Sequence, residues 1–388
     1  MPGCDMDKTI PMCEPVFAGN EAAYLDEALR SGFVSSVGPF VGRFESAFAR
    51  AVGASHAVAC ASGTAAIHLA LRALGVRAGD VVVCSDFTFI ATANPVTYQG
   101  ADPMFVDSEA RSWNMAPALL AEAVDDLARE GRRPAAVIVA HVLGQPADLG
   151  PILDVCTRQG IPLIEDAAEA LGATFTSDYP HHACRGRQVG TIGTVGCFSF
   201  NGNKVITSGG GGMVTTEDGA LAKRIKHLST QAKLPGVAYV HDDVGYNYRL
   251  TNLAAALGVA QLEQLPGFLE RKRAIAARYR TACEELGLTY HPVLPGTEPS
   301  CWLASVLVGT ERDAVAAALA EEGIMTRPLW RPVSRQRPYA GSRRWGGAFA
   351  DRLAADGLSL PCSVSLNAAG QERVIAALDG ALKRVAAA

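Results

Sequence analysis

The 388-residue sequence lacks any apolar run long enough to cross a bilayer; stretches such as LAAALGVA, Leu253 to Ala260, fall well short of the roughly 18 residues required. A membrane-spanning helix is excluded on that ground. The sequence also lacks an excess of either charge, since 35 Lys and Arg against 39 Asp and Glu leave a formal charge of −4. That balance argues against nucleic acid or an anionic membrane surface as partner. The ten cysteines are scattered singly with no CxxC pair, a pattern of reduced thiols and not of a disulfide framework. The opening MPGCDMDKTIPMCEP has mixed charge and no apolar core, so no secretory signal and a cytoplasmic location are expected. A GxSxG elbow is missing, which counts against a Ser-His-Asp hydrolase, and a GxGxxG fingerprint is missing as well.

What is present is a composition rich enough in apolar residues, at 49%, to build a core, and a length that suits two lobes. From about residue 20 to 260, apolar runs of strand length alternate with stretches of helical period. Ala57–Cys60, Val81–Cys84, Pro103–Val106, Ala136–Ala140, Ile161–Ile164 and Val195–Phe200 read as buried strands of a largely parallel sheet in a three-layer α/β lobe. A site is expected beyond their C-terminal ends. A helical pattern follows Thr251, breaks at Pro266-Gly267 and resumes as a charged bridge helix, so the lobe boundary is placed near residue 265. Residues 1–265 form the expected large domain and 266–388 the smaller α/β domain, with a strand in Trp302–Val308, an Arg- and Pro-rich loop from Arg327 to Arg344 and a final helix from Gly370 to Val385.

Four local features bear on chemistry. Lys204 lies between an apolar strand and the run Gly209 to Gly212; sheltered there, its amine becomes a nucleophile toward a carbonyl, although a solvated turn is the plainer reading of that residue alone. Asp166 follows a buried strand, where a carboxylate calls for a cationic partner or caps a helix. In Ala61-Ser-Gly-Thr-Ala-Ala-Ile-His68 the N–H groups of Gly63 and Thr64 open a helix and suit a phosphate, or simply cap it. Phe89 follows another strand and suits the face of a planar ring, or the core.

Their joint order, ending with a lysine after a strand that carries Ser199, resembles the fold-type I pyridoxal phosphate enzymes, and specifically the DegT/DnrJ/EryC1/StrS family of nucleotide-sugar aminotransferases. The resemblance runs over nearly the whole chain, through GFVSSVGPFVGRFE, ASGTAAIHLAL, FTFIATANPVTYQGADPMFVD, HVLGQPADL, IEDAAEALGA, GTIGTVGCFSFNGNKVITSGGGGM, VGYNYRLTNLAAALGVAQLEQL and LPCSVSL. It implies pyridoxal phosphate, cycling through pyridoxamine phosphate, with Lys204 as the internal aldimine and proton carrier, Asp166 on the pyridinium nitrogen and Phe89 on the ring. Gly63, Thr64 and Ser199 would hold the phosphate; Glu169, where many members have glutamine, would sit near the 3-hydroxyl. Asn247 would reach the partner subunit's cofactor phosphate, because active sites in this family lie at a homodimer interface.

Within the family the sequence is most similar to C4 aminotransferases of UDP-linked 4-keto-6-deoxy-N-acetylhexosamines of the legionaminic-acid type, with an amino acid such as glutamate as donor. The segments LSTQAK and MTRPLW carry that narrower likeness. GDP-perosamine synthases share several segments, C3 aminotransferases share the catalytic set, and the arginine-rich RPVSRQRPYAGSRRWGG departs from the legionaminic pattern. Arg327 and Arg331 are candidates for substrate phosphate or carboxylate, or for surface ion pairs. His181, His182 and Cys184 read as a polar loop, and no metal is expected. The rivals are the lysine-less dehydratase branch, against which Lys204 speaks, and a non-catalytic binding or regulatory module on the same fold.

Overall fold

Runs of small and β-branched apolar residues make the centre of the protein, whose residues 9–387 are described by a computed structural model. The reading of the first eight residues as free of a secretory signal lies outside the described part. The strands in chain order are β1 (His56–Cys60), β2 (Val81–Ser85), β3 (Asp102–Val106), β4 (Ala136–Ala140), β5 (Leu163–Asp166), β6 (Thr174–Phe175), β7 (Val195–Ser199) and β8 (Gly212–Thr216). They continue with β9 (Thr289–Tyr290), β10 (Thr297–Glu298), β11 (Ala304–Leu307), β12 (Arg327–Pro328), β13 (Arg344–Trp345) and β14 (Gly357–Leu360).

The large sheet has eight strands in the order β1-β8-β7-β5-β4-β2-β3-β13, and β8 alone runs antiparallel to its neighbours. β2 and β4 are buried along their whole length. Alternate residues explain it: Val83, Val137, Val139 and Leu163 join one apolar cluster, while Val82, Ile138 and Ile164 join another on the opposite face. The first cluster takes Phe40, Phe44 and Phe48 from the helix Pro39–Val52; the second takes Ile67 and Leu71 from Gly63–Ala73 and Ile225 from Gly219–Ser229. Helices therefore cover both faces, the three-layer arrangement expected. Gly196, in β7, is required by close approach, because a Cβ there would lie 1.9 Å from Gly190 O.

The C-terminal part builds a four-stranded antiparallel sheet, β12-β14-β11-β9, with the helices Arg312–Glu321 and Ala368–Ala386. Several details differ from the sequence reading. Pro266 does not break the bridge helix: it sits in the first turn of Leu265–Glu285, where a missing N–H costs nothing, and the break falls at Gln264. The Arg-rich segment is not simply a loop, since β13 adds in parallel to β3 at the edge of the large sheet. Asp166 is the last residue of β5 rather than just past it. At the other end of the chain, residues 10–14 join the small sheet's surroundings: Ile10 bridges Ile324, Cys362 N–H donates to Met12 O at 2.7 Å and Glu14 N–H to Ser363 Oγ at 2.9 Å. The chain thus crosses between the two sheets near both ends.

Candidate active site

The C-terminal ends of β5 and β7 and the N-terminus of Gly63–Ala73 open into a cavity of about 370 Å3, within the range of small-ligand sites. Gly63, Thr64, Phe89, Asp166, Glu169, Ser199, Lys204 and Arg327 all line it, although in the sequence they lie as far apart as residues 63 and 327. Arg331 does not; it faces a separate open depression on the far side of Pro328 and Leu329, with Arg312 and Arg335. Asn247 is exposed on a segment outside the cavity, its neighbours Tyr246 and Tyr248 stacking their rings on each other. Tyr248 O accepts the N–H of Ala61, so this loop is fastened to the start of the Gly63 turn.

That turn is shaped as an anion cradle. Ser62 caps the helix with Oγ accepting the N–H of Ala65 at 3.0 Å, and its carbonyl takes the N–H of Ala66. The N–H groups of Gly63 and Thr64 remain for a ligand at the positive end of the helix dipole. Ser199 closes the cradle so tightly that a Cβ on Gly63 would come 2.8 Å from Ser199 Cβ.

The same cavity is lined by three ionisable groups. Asp166 Oδ2 accepts from Thr92 Oγ1 at 2.6 Å and Oδ1 from Ala168 N–H at 3.1 Å. Lys204 Nζ lies 3.7 Å from Glu169 Oε1 and 4.0 Å from the centroid of the Trp302 ring. The negative face of an indole attracts an ammonium, so Trp302 and Glu169 together hold the lysine inside the cavity. Trp302 is itself fixed by Nε1–H donating to Asn203 O at 2.6 Å and by stacking on Trp330. Glu169 Oε2 accepts the N–H of Leu143 at 2.8 Å, and burial pushes its carboxyl up to about 7, against the pull of Lys204 and that N–H. Phe89 is 54% exposed, an aromatic held at the cavity wall and not in the core.

Sequence reasoning passed over His141, a buried residue of the cavity lining, and its fully buried partner Glu165. Ala147 N–H donates to His141 Nδ1 at 3.0 Å, so the ring proton sits on Nε2 and is donated to Glu165 Oε2 at 3.2 Å. Burial would raise the Glu165 carboxyl, yet that bond and the N–H groups of Gly193 and Gly190 hold it below its ordinary value. The pair ties the end of β4 to the end of β5, and His141 N–H donates to Asp166 O. Trp302, Thr88 and Thr92 were also missed; the polar residues inside the apolar FTFIAT hinted at the two threonines, and nothing local hinted at Trp302. His181 pairs with Asp154 and lies 3.8 Å from Cys184, and among the described residues no group of three or more His, Cys, Asp or Glu is arranged to hold a metal.

A family model with the description DegT/DnrJ/EryC1/StrS aminotransferase family matches residues 16–379. The chain belongs to the DegT/DnrJ/EryC1/StrS family. It is 40% identical to EpsN of Bacillus subtilis, provisionally named a pyridoxal phosphate-dependent aminotransferase, over 96% of each chain. It is also 40% identical to the GDP-perosamine synthase of Caulobacter vibrioides, over 96% of this chain and 98% of that one. The solved structure of the aminotransferase TlmJ from Streptoalloteichus hindustanus matches with a TM-score of 0.87 at 30% identity, covering 97% of this chain and 100% of that one.

As a member of this family the protein is a sugar aminotransferase, its fold is the fold-type I arrangement, and its cofactor is pyridoxal phosphate. The residues present fit that cofactor. The free N–H pair beside Ser199 suits a phosphate, and an amine sits with a carboxyl group across the same cavity. Among the described residues no helix is long and apolar enough to cross a membrane.

Proposed function

We propose that this aminotransferase moves the amino group of an amino acid, with L-glutamate as donor, to C4 of a nucleotide-linked 4-keto-6-deoxy sugar. The observation that carries the reading is Lys204, an amine enclosed between Glu169 and Trp302 in the cavity that also holds the anion cradle and Asp166. Bound there, pyridoxal phosphate supplies an electron sink that lets a proton leave the carbon next to its nitrogen. The chain's residues do the rest. Gly63, Thr64 and Ser199 hold the phosphate, Phe89 covers the ring, Asp166 faces the ring nitrogen and Glu169 the 3-hydroxyl side. Lys204 Nζ is the nucleophile toward the cofactor's carbonyl and then carries the proton to and from the reacting carbon. Arg327, exposed at the cavity rim, meets the substrate's negative groups.

The sequence reading favoured a UDP-linked N-acetylhexosamine. The 40% identity to a GDP-perosamine synthase along almost the whole chain supports a GDP-linked sugar as the second reading. We further propose a homodimer in which Asn247 completes the partner's phosphate site. Its support is the exposed position of Asn247 and the apolar side chains left open on the segment before it and around the Tyr246–Tyr248 rings, Val237, Tyr239 and Tyr98.

The test is to incubate purified holoenzyme with glutamate and, separately, the GDP-, UDP- and dTDP-linked 4-keto-6-deoxy sugars, reading product by mass spectrometry and NMR. Amination at C4 of one of them is expected, with none from Lys204→Ala; a Lys204→Ala protein of full activity, or amination at C3 only, overturns the reading.

A further inference from the structure

The aromatic wall and the strand-end carboxylate of the cavity are joined by two buried hydroxyls. Thr88 and Thr92 are 4% and 1% exposed. Thr92 closes the 3-10 turn Ile90–Thr92, and its N–H donates to Phe89 O at 3.0 Å, so one short turn presents both Phe89 and Thr92. Threonine hydroxyls in helical turns commonly return to a carbonyl one turn back. Here Thr92 Oγ1 reaches Asp166 Oδ2 at 2.6 Å instead, and Thr88 Oγ1 lies 2.8 Å from Thr92 Oγ1.

The direction of this chain follows from its last member. An ionised carboxylate only accepts, so Thr92 donates to Asp166; with its single proton committed, Thr92 accepts from Thr88. The sequence of donors therefore runs from Thr88 through Thr92 to Asp166. On the other oxygen, Ala168 N–H donates to Oδ1 at 3.1 Å. Each carboxylate oxygen has one protein donor, which fixes the plane of the group and leaves its remaining lone pairs to a partner in the cavity that Asp166 lines.

We propose that Thr92, backed by Thr88, is a positioning residue that sets the plane of the Asp166 carboxylate against the nitrogen of the cofactor ring. Because Phe89 sits on the same turn, the face of the ring and its nitrogen contact are set by one element, and a shift of that turn moves both together. The inference rests on the placement of Asp166 given under Proposed function. A valine at 92 has nearly the shape of threonine and no hydroxyl, whereas serine keeps the donor.

The experiment uses full-length Thr92→Val, Thr92→Ser and Asp166→Asn proteins with pyridoxal phosphate labelled with 15N in the ring. The readouts are cofactor affinity by fluorescence titration of the cofactor-free protein and the 15N chemical shift of the bound ring. Thr92→Val is expected to weaken cofactor binding by about 10- to 100-fold, the range carried by one hydrogen bond to a charged group. It should also move the nitrogen resonance away from its protonated position, while Thr92→Ser restores both readouts. A merely structural hydroxyl would lower the melting temperature and leave the 15N shift in place. Wild-type affinity and shift in Thr92→Val, or a Thr92→Ser protein that behaves like the valine variant, overturns the proposal. If Asp166→Asn also leaves both readouts at their wild-type values, the placement of Asp166 itself is overturned.

Discussion

Replacing Glu169 by glutamine should make the cofactor-free protein more stable at alkaline pH, and by an amount that vanishes in acid. Burial pushes this carboxyl from 4.5 up to about 7; Lys204 at 3.7 Å and the Leu143 N–H oppose the rise, and Asp166 adds to it. The folded protein then binds this proton more tightly than the unfolded chain does. Stability contributed by the site is complete below about pH 4.5, falls as pH rises toward 7, and stays low above that. At 1.36 kcal/mol for each tenfold change in proton affinity, the loss approaches about 3 kcal/mol by pH 8. Glutamine still accepts the Leu143 N–H and does not titrate. It also deprives Lys204 of its counter-ion, so about 3 kcal/mol is a ceiling on the gain. With an unfolding entropy of about 2.1 cal/mol/K per residue, a chain of this length shifts roughly 1.2 °C per kcal/mol, so about 3 kcal/mol makes at most about 4 °C at pH 8. Differential scanning calorimetry of both cofactor-free proteins from pH 4.5 to 8 measures it. A difference that does not change with pH, or a wild type more stable than the variant at pH 8, refutes the reasoning.

Two further substitutions probe the cradle and the docking of the Arg-rich segment. Gly63→Ala places a Cβ 2.8 Å from Ser199 Cβ, so the helix start must draw back from Ser199. Cofactor affinity should fall about tenfold or more, measured by fluorescence titration, and an unchanged affinity counts against the phosphate site. Arg344→Met strands the fully buried Asp86, whose Oδ2 lies 2.6 Å from Arg344 Nε, at a cost of about 3–5 kcal/mol in urea unfolding. Burial raises the Asp86 carboxyl even with Arg344 and Ser334 beside it, so the penalty should shrink at pH 5 relative to pH 8; equal losses at both contradict the account.

Six of the eight strands of the large sheet were legible as short apolar runs, most plainly β2 and β4, where burial on both faces leaves no polar alternation to confuse the pattern; β8 was not, because Gly-Met-Val-Thr-Thr continues a glycine run and reads as a turn. Lys204, Asp166 and the Gly63 turn were legible because each sits where a strand ends. Phe89 was legible only as one of two readings, ring face or core, since an aromatic after a strand suits either until the cavity beside it is seen. β13 carries almost no local signal: two residues pair with β3 only because Arg343 and Arg344 find Asp126, Glu130 and Asp86 far away in the chain. Trp302 is invisible for a related reason, as its role comes from Lys204 and Asn203 about a hundred residues earlier. Much of the arginine richness of this segment is spent on such pairs; Arg335, Arg343 and Arg344 all have carboxylate partners.

β13 also sets the order in which the protein can be completed. Phe105 and Val106 acquire their outer neighbours only when Arg344 and Trp345 arrive, about 240 residues later in synthesis. At translation rates of about 5–20 residues per second, β3 waits between roughly ten and fifty seconds as an open edge of the nascent sheet. An unpaired apolar edge is a template for pairing with another chain, so this interval is where the protein is exposed to aggregation and where a chaperone has something to hold. A chain that stops before residue 344 never closes that edge, whatever the state of its active site.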